Sequence, residues 1–420
     1  MSKPTSDCRA TERKHPWPMV RLGDVCEDKI QRIKSIRESR IAYIDISSID
    51  NVQKRVVGAK EYDVDDAPGR AQQVVIPGDV LVSNVRPNLN AVAIVDVASA
   101  IPLIASTGFC VLRVKDSVLP KYVYYYAQTS DFIDPLVAVS EKASYPSVTD
   151  TIVKDSLVSF PPLPVQREIV ARLERELAAV EKMKKGFEAL AETVKAEFKA
   201  ELKEVFEELK SGGAGIGTDG TNGTHGTVET RRLGEIGRVV TGTTPSKGNK
   251  SYYGGEWPFY KPADLNQGRN TIGSGDSLTD AGWQSARQLP ANSVLVTCIG
   301  ATLGKTGIIR REGSCNQQIN AIVCDGKALP EYVYYSILSP QFQNMLWQAS
   351  NSTTLPMVNK STFEKFEIPF PALAVQREVV ARLDAAKARA EKLEAKAREG
   401  MAVCETMRKA ILKEAFEGID

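Results

Sequence analysis

A repeat at half the chain's own length restricts this sequence more than any other feature. Val165-Gln166-Arg167-Glu168 returns as Val375-Gln376-Arg377-Glu378, an offset of 210 in a chain of 420 residues. At the far end of the same stretch, LKEVFEEL from Leu202 overlies LKEAFEGI from Leu412. An internal duplication of this kind requires two like units, whatever the fold of each. Both copies carry a helical pattern. Leu173, Leu177, Val180, Met183, Phe187, Leu190, Val194, Phe198, Leu202, Val205 and Leu209 recur at steps of three and four, and Leu383, Ala386, Ala390, Leu393, Ala397, Met401, Met407, Ile411 and Ala415 keep nearly the same rhythm. One apolar stripe per helix is the pattern of a two-helix coiled coil. Pro164 stands where proline is tolerated, in the first turn. Residues 164–210 hold ten Lys/Arg and eleven Asp/Glu, so the other faces suit solvent. The alanine-rich stripe of the second copy would let the bulkier first helix come close.

The length exceeds what one core accommodates and implies two or more domains. Apolar residues make up 42% and charged residues 25%, ordinary values for a globular protein. There is no signal-like leader and no run of eighteen apolar residues, so a cytoplasmic location and no membrane are expected. The seven cysteines form no CxxC pair, which argues for reduced thiols over a disulfide framework or zinc site. The two histidines, His15 and His225, lie in polar, weakly patterned sequence. A Ser-His-Asp triad, a histidine zinc site and a histidine general base are therefore disfavoured, and no metal or cofactor is expected on this chain. A net charge of +2 requires any nucleic-acid face to be made by segregated charge.

In chain order, residues 1–16 read as a disordered arm. Short strands are predicted over Ile41–Ile46, Val80–Ser83, Ala91–Val95 and Phe109–Val114, bounded by Gly, Pro, Asn or Asp. A helix should open at Leu119-Pro120 and run towards Phe132. The second half repeats this order: Val294–Cys298 answers Val80–Asn84 with a drifted offset, and Leu329-Pro330 answers Leu119-Pro120 at 210. Residues 211–228 form a Gly/Thr-rich flexible linker. The expected class is α+β: modules over 17–162 and 229–372, each followed by a long helix, over 163–210 and 373–418.

Catalytic motifs are poor. Gly300-Ala301-Thr302-Leu303-Gly304-Lys305-Thr306 is one residue short of a phosphate-binding loop and precedes a strand-like Gly307-Ile308-Ile309, so a tight strand-joining loop is the better reading. No methyltransferase glycine loop or Asn-Pro-Pro-Tyr-like motif occurs. The polar loops are more informative. Lys29, Arg32, Lys34 and Arg37 form the densest basic run of the first module, and Arg86, Asn88 and Asn90 occupy a strand-joining loop. In the second module Thr243, Thr244, Lys247, Lys250, Tyr252 and Tyr253 combine hydroxyls, cations and aromatics, Asn316 and Gln317 add amides, and Lys305 is placed to meet a phosphate. Arg and Lys read guanine, Asn and Gln read adenine, and hydroxyls and cations hold phosphates, so these are the candidate DNA-binding residues.

Two such modules, each followed by a helix opening P-x-L-x-V-Q-R-E-[IV]-V-A-R-L, resemble the specificity subunit of type I restriction–modification enzymes. Thr241-Gly242-Thr243-Thr244-Pro245-Ser246 and Tyr253-Gly254-Gly255-Glu256-Trp257-Pro258 are also similar to that family's target-recognition domains; the first module lacks the former stretch. The resemblance implies an antiparallel helix pair with pseudo-twofold symmetry. It also implies that double-stranded DNA is read as two half-sites, that two modification (methyltransferase) subunits and restriction (translocase/nuclease) subunits are partners, and that S-adenosylmethionine, ATP and Mg are bound by those partners rather than here. The competing expectation is a non-catalytic coiled-coil adaptor that binds proteins instead of DNA.

Overall fold

The computed structural model describes residues 17–141, 146–211, 228–324, 326–350 and 355–417. The expected N-terminal arm, nearly all of the expected linker, and both histidines lie outside them. The chain divides into two compact units, one of residues up to 187 together with 399 onward, the other of residues 188–398. Each unit therefore takes the start of one long helix and the end of the other.

In the first unit, Val80–Ser83 pairs antiparallel with both Phe109–Leu112 and Val92–Ile94, and Arg55–Val56 and Ile49–Asp50 complete a five-stranded sheet. A second sheet has the order Lys60–Asp63, Arg40–Ile44, Leu103–Ser106, Ala71–Val75. The expected strands are present: Val80–Ser83 with its expected bounds, Ala91–Val95 and Phe109–Val114 shortened to Val92–Ile94 and Phe109–Leu112, and Ile41–Ile46 found as Arg40–Ile44 before the 3-10 turn Ile46–Ser48. The helix expected to run from Leu119 towards Phe132 is instead two, Pro120–Tyr126 and Ser130–Ser140. The break has a local cause: the Thr129 hydroxyl accepts from the Phe132 amide and caps the second helix. Ser339 does the same between Pro330–Leu338 and Pro340–Gln348.

In the second unit, Gly237–Thr241, Ile319–Cys324, Val294–Thr297 and Thr306–Ile308 form one sheet, and Asp276–Leu278, Tyr253–Tyr260 and Ser314–Cys315 another. Both modules close on themselves. Met19–Arg21 pairs with Leu157–Ser159, and Thr230–Arg232 with Glu367–Pro369.

The long helices span Leu163–Ser211 and Leu373–Glu417. The glutamine of the Val-Gln-Arg-Glu repeat proves to be a buried bracket between helix and module. Gln166 Oε1 accepts from Leu119 N (2.8 Å) while its Nε2 donates to Pro161 O (2.9 Å); Gln376 does the same to Leu329 N (2.9 Å) and Pro371 O (2.9 Å). Each satisfies an amide at a helix start that would otherwise be orphaned.

The helix ends explain the second repeated motif. In the first unit the core of Val80, Val82, Cys110, Leu112 and Tyr122 is completed by Leu412, Ala415 and Phe416 from the end of the second helix. In the second unit Val294, Val296, Ile322 and Tyr332 are completed by Leu202, Val205, Phe206 and Leu209 from the end of the first. Phe416 lies edge-on to Tyr122 with ring centroids 5.1 Å apart, and Phe206 is tilted against Tyr332 at 5.9 Å. Early residues of one helix thus meet late residues of the other, which is antiparallel pairing within each unit. Ion pairs agree: Lys184 with Glu405 at 2.6 Å in the first unit, and Arg382 with Glu201 at 2.6 Å and Glu208 at 2.8 Å in the second. Gly400 faces Phe187 closely: a Cβ there would enter the Phe187 ring as it lies. The small-residue stripe does admit a bulky neighbour. The stripe itself differs in detail from the expected one: Cys404 is buried where Met407 was expected inward, and Met183, Leu190 and Leu393 lie at the exposed margin.

Candidate nucleic-acid interface

Corresponding loops in the two units are held by corresponding hydrogen bonds. After Val80–Ser83, Asn84 N donates to Gly108 O (2.9 Å), Val148 N donates to Asn84 O (2.9 Å) and Arg86 N donates to Pro146 O (2.8 Å). After Val294–Thr297, Cys298 N donates to Gln318 O (2.7 Å), Val358 N to Cys298 O (2.9 Å) and Gly300 N to Pro356 O (2.9 Å). Arg86 is therefore the counterpart of Gly300, and Asn90 of Gly304, at an offset of 214.

In the first unit Arg86 and Asn88 are exposed on the 3-10 turn Pro87–Leu89. Asn90 points inward: its Nδ2 donates to Gln128 O at 3.2 Å, so its amide serves the loop rather than its surface. The basic run lies along Ala71–Val75, where Val74 N donates to Gln31 O (2.8 Å) and Arg32 bridges Gln73. Ile33 is its buried anchor, and Lys29, Arg32, Lys34 and Arg37 are all exposed. Thr107 N donates to Arg70 O (2.9 Å), which sets exposed Arg70 beside the Thr107–Gly108 turn that supports the Arg86 loop. Arg70 was not among the expected contacts, since it stands alone in sequence and only the pairing of Ala71–Val75 with Leu103–Ser106 brings it there.

In the second unit the Thr243 loop is drawn against the Asn316 turn. Gly242 N donates to Ile319 O and Thr243 N to Cys315 O, both at 3.0 Å. Gly242 has no room for a Cβ, because Asn316 O and Cys315 O occupy that space. The Thr244 hydroxyl donates to Gln317 Oε1, Asn316 Nδ2 donates to Gln318 Oε1 (2.8 Å), and Tyr253 OH donates to Pro245 O (2.6 Å). Thr244, Lys247, Tyr253 and Gln317 thus share the rim of a cavity of 160 Å³, whereas Asn316 is buried beneath it with both ends of its amide engaged by Gln318, so it shapes the turn rather than its surface. Lys261, ion-paired with Asp276, and Gln318 also line it and were not expected; Lys261 follows the strand Tyr253–Tyr260 and Asp276 opens the strand paired with it, 15 residues on. Burial pushes the Tyr253 phenol above its ordinary value, so it stays a donor.

The other expected residues fall elsewhere in this unit. Thr243 accepts from Arg287 N through its hydroxyl (3.1 Å), beside the cavity. Lys250 and Tyr252 lie on a 3-10 turn whose Tyr252 carbonyl accepts from Thr279 N (3.0 Å). Lys305 ends the loop from Cys298 to Thr306, its amide donating to Thr302 O (3.1 Å) and its carbonyl accepting from Thr297 N (2.8 Å). That loop joins two antiparallel strands as expected, with Gly300 and Gly304 at positive φ.

Among the described residues no cluster of three His, Cys, Asp or Glu could hold a metal, and no helix is long and apolar enough to cross a membrane. Buried Cys26 and Cys298 have their thiols pushed up to about 11 and about 12 by desolvation, which keeps them protonated and unreactive.

A family model described as the type I restriction modification DNA specificity domain matches the chain twice, over residues 14–187 and 225–399. The type I restriction enzyme HindI specificity subunit of Haemophilus influenzae is 25% identical, with 85% of this chain and 90% of that protein covered. The HsdS subunit from Thermoanaerobacter tengcongensis has a crystal structure 27% identical to this chain, with a TM-score of 0.56 over 97% of this chain and 99% of that one. A chain from a structure of complex assembly and conformational transition in a type I R-M system gives a TM-score of 0.77 at 27% identity, covering 96% and 98%.

Proposed function

This chain belongs to the DNA specificity subunits of type I restriction–modification systems, and we propose that its two recognition modules each read one half of a bipartite, asymmetric site in double-stranded DNA. It is the non-catalytic member of such a system, and its contribution is sequence discrimination. The observation that carries the reading is the repeated loop position. The same backbone hydrogen bonds hold Asn84–Arg86 and Cys298–Gly300, yet the exposed side chains around them differ completely. A constant frame with variable polar groups is what two different half-sites require. Arg86, Asn88, Arg70 and the Lys29–Arg37 run form the first reading surface, and Thr244, Lys247, Tyr253 and Gln317 the second. The lysines and the Lys29–Arg37 run hold phosphates, while Arg86 and the amides reach base edges.

The helices, of 49 and 45 residues, are about 73 and 68 Å long. Half-sites one DNA turn apart are separated by about 34–36 Å, so the rods are long enough to set that spacing. Two modification subunits dock on this frame and methylate adenine with S-adenosylmethionine; restriction subunits add ATP- and Mg-dependent translocation and cleavage. The complex works in the cytoplasm, where the DNA is.

The decisive experiment maps methylated adenines in a host with and without this gene. A bipartite motif that disappears with the gene is expected. Exchanging residues 230–370 for another module should then change the letters of one half only. Loss of no motif, or a change in both halves on exchange, contradicts the reading.

A further inference from the structure

Backbone strain in the described residues is concentrated beside the first reading surface. Four non-glycine residues have positive φ: Lys54 at 56°, Arg86 at 52°, Asn90 at 46° and Asn292 at 67°. Three of them meet in one corner of the first unit. In the second unit the counterparts of Arg86 and Asn90 are Gly300 at 98° and Gly304 at 85°, which take up this geometry without a Cβ clash. The first module keeps the same loop shape but places side chains on it, and such strain persists only where the surroundings enforce it.

The enforcing groups are visible. Lys54 Nζ donates to the carbonyl of Asn90. In the second unit a neutral amide does that task, Gln343 Nε2 donating to Gly304 O at 3.1 Å. Lys54 is fixed in turn by Tyr124 OH, which donates to its carbonyl (3.0 Å). Asn90 Nδ2 donates to Gln128 O (3.2 Å), and the Gln128 side chain is gripped by Arg408 Nη2, which donates to its Oε1 at 2.5 Å. Arg408 comes from the second long helix, within the same unit. Two half-buried cations are thereby held near one another. Burial draws the Lys54 ammonium down to about 8, Arg408 adds repulsion, and only Glu405 and Asp50 oppose it.

We propose that Lys54 and Arg408 are positioning residues for the first half-site, holding the strained Arg86–Asn90 loop in the shape that presents Arg86 and Asn88 to DNA. The inference rests on the reading of that loop as a DNA contact. It makes discrimination by the first module depend on a residue of the second repeat's helix.

The test uses the full chain assembled with its modification subunits and DNA carrying both half-sites, one half-site randomised at a time. Arg86→Ala should weaken binding about tenfold and relax the first half-site. Lys54→Met and Arg408→Ala should relax the same letters by a similar factor, leave the second half-site intact, and leave the salt slope of binding unchanged, because neither touches a phosphate. Adding Asn90→Gly to Lys54→Met should restore discrimination, since glycine holds the left-handed shape without the brace. Unchanged hydrogen exchange in Val80–Ser83 and Phe109–Leu112 certifies the fold of the first module in each variant, and intact reading of the second half-site that of the second. If Arg86→Ala relaxes the first half-site while Lys54→Met and Arg408→Ala do not, the positioning role is overturned and the interface stands. If Arg86→Ala changes nothing, the interface and the positioning role both fall.

Discussion

Arg86 shows how a single position can be poor for stability and useful for recognition. A left-handed φ costs an L-residue about 1–2 kcal/mol, whereas glycine there loses about 0.5–1 kcal/mol through its freer unfolded chain. Arg86→Gly should therefore leave the melting temperature at or slightly above that of the parent while DNA affinity drops. A clear fall in melting temperature would mean that the guanidinium has a structural task. Lys54 gives a pH signature with a definite sign. Its folded value, about 8, lies below the ordinary 10.5, so between those values the unfolded chain binds the proton more strongly. The group opposes folding most below pH 8, and that opposition fades as the pH rises towards 10.5. The melting temperature of Lys54→Met minus that of the parent should accordingly become less positive, or more negative, from pH 7 to pH 10. A difference that moves the other way would show that the ammonium is stabilised in place. Asn88 and Arg86 were legible in the sequence as polar loop residues. The inward turn of Asn90 was not, because nothing in a strand-joining loop announces that Gln128, 38 residues on, will accept its amide.

At the scale of elements, the helices are the most legible part of the chain and also the most incompletely read. Their extent and stripe follow from steps of three and four, and Pro164 marks the start. Periodicity identifies a buried face without saying what covers it. The LKEVFEEL and LKEAFEGI ends look like more coiled coil, yet they complete the cores of globular modules. Phe206→Ala and Phe416→Ala should each cost about 3–5 kcal/mol, as buried aromatic truncations do. The location of the damage is the sharper prediction. Hydrogen exchange should accelerate in Val294–Thr297 and Ile319–Cys324 for Phe206→Ala, and in Val80–Ser83 and Phe109–Leu112 for Phe416→Ala. Damage confined to the helix bearing the substitution would contradict the exchanged packing. The Gln166 and Gln376 brackets carry a similar lesson. They were visible as a repeated motif at a helix start, but their task depends on Leu119 and Leu329, each 47 residues upstream.

For the whole molecule, antiparallel pairing within each unit restricts how the spacing can be changed. Seven residues added within Glu181–Glu201 alone would slide Lys184 away from Glu405 or Glu201 away from Arg382. Matched heptads added between Lys184 and Glu201 and between Arg382 and Glu405 keep both registers, and should lengthen the gap between methylated half-sites while leaving their letters unchanged. Altered letters with an unaltered gap would exclude the rods as the spacing element. The duplication, the α+β class, the two long helices and the absence of a convincing catalytic motif are all local or periodic properties, and the amino-acid order alone determined them. Which carbonyl Lys54 meets, which core receives Phe416, and which polar groups gather around Asn316 are contacts between residues remote in the chain. Only the tertiary structure decided them, because the free energy of such contacts comes from burial and hydrogen bonding that do not exist until the sheets and helices have closed on one another.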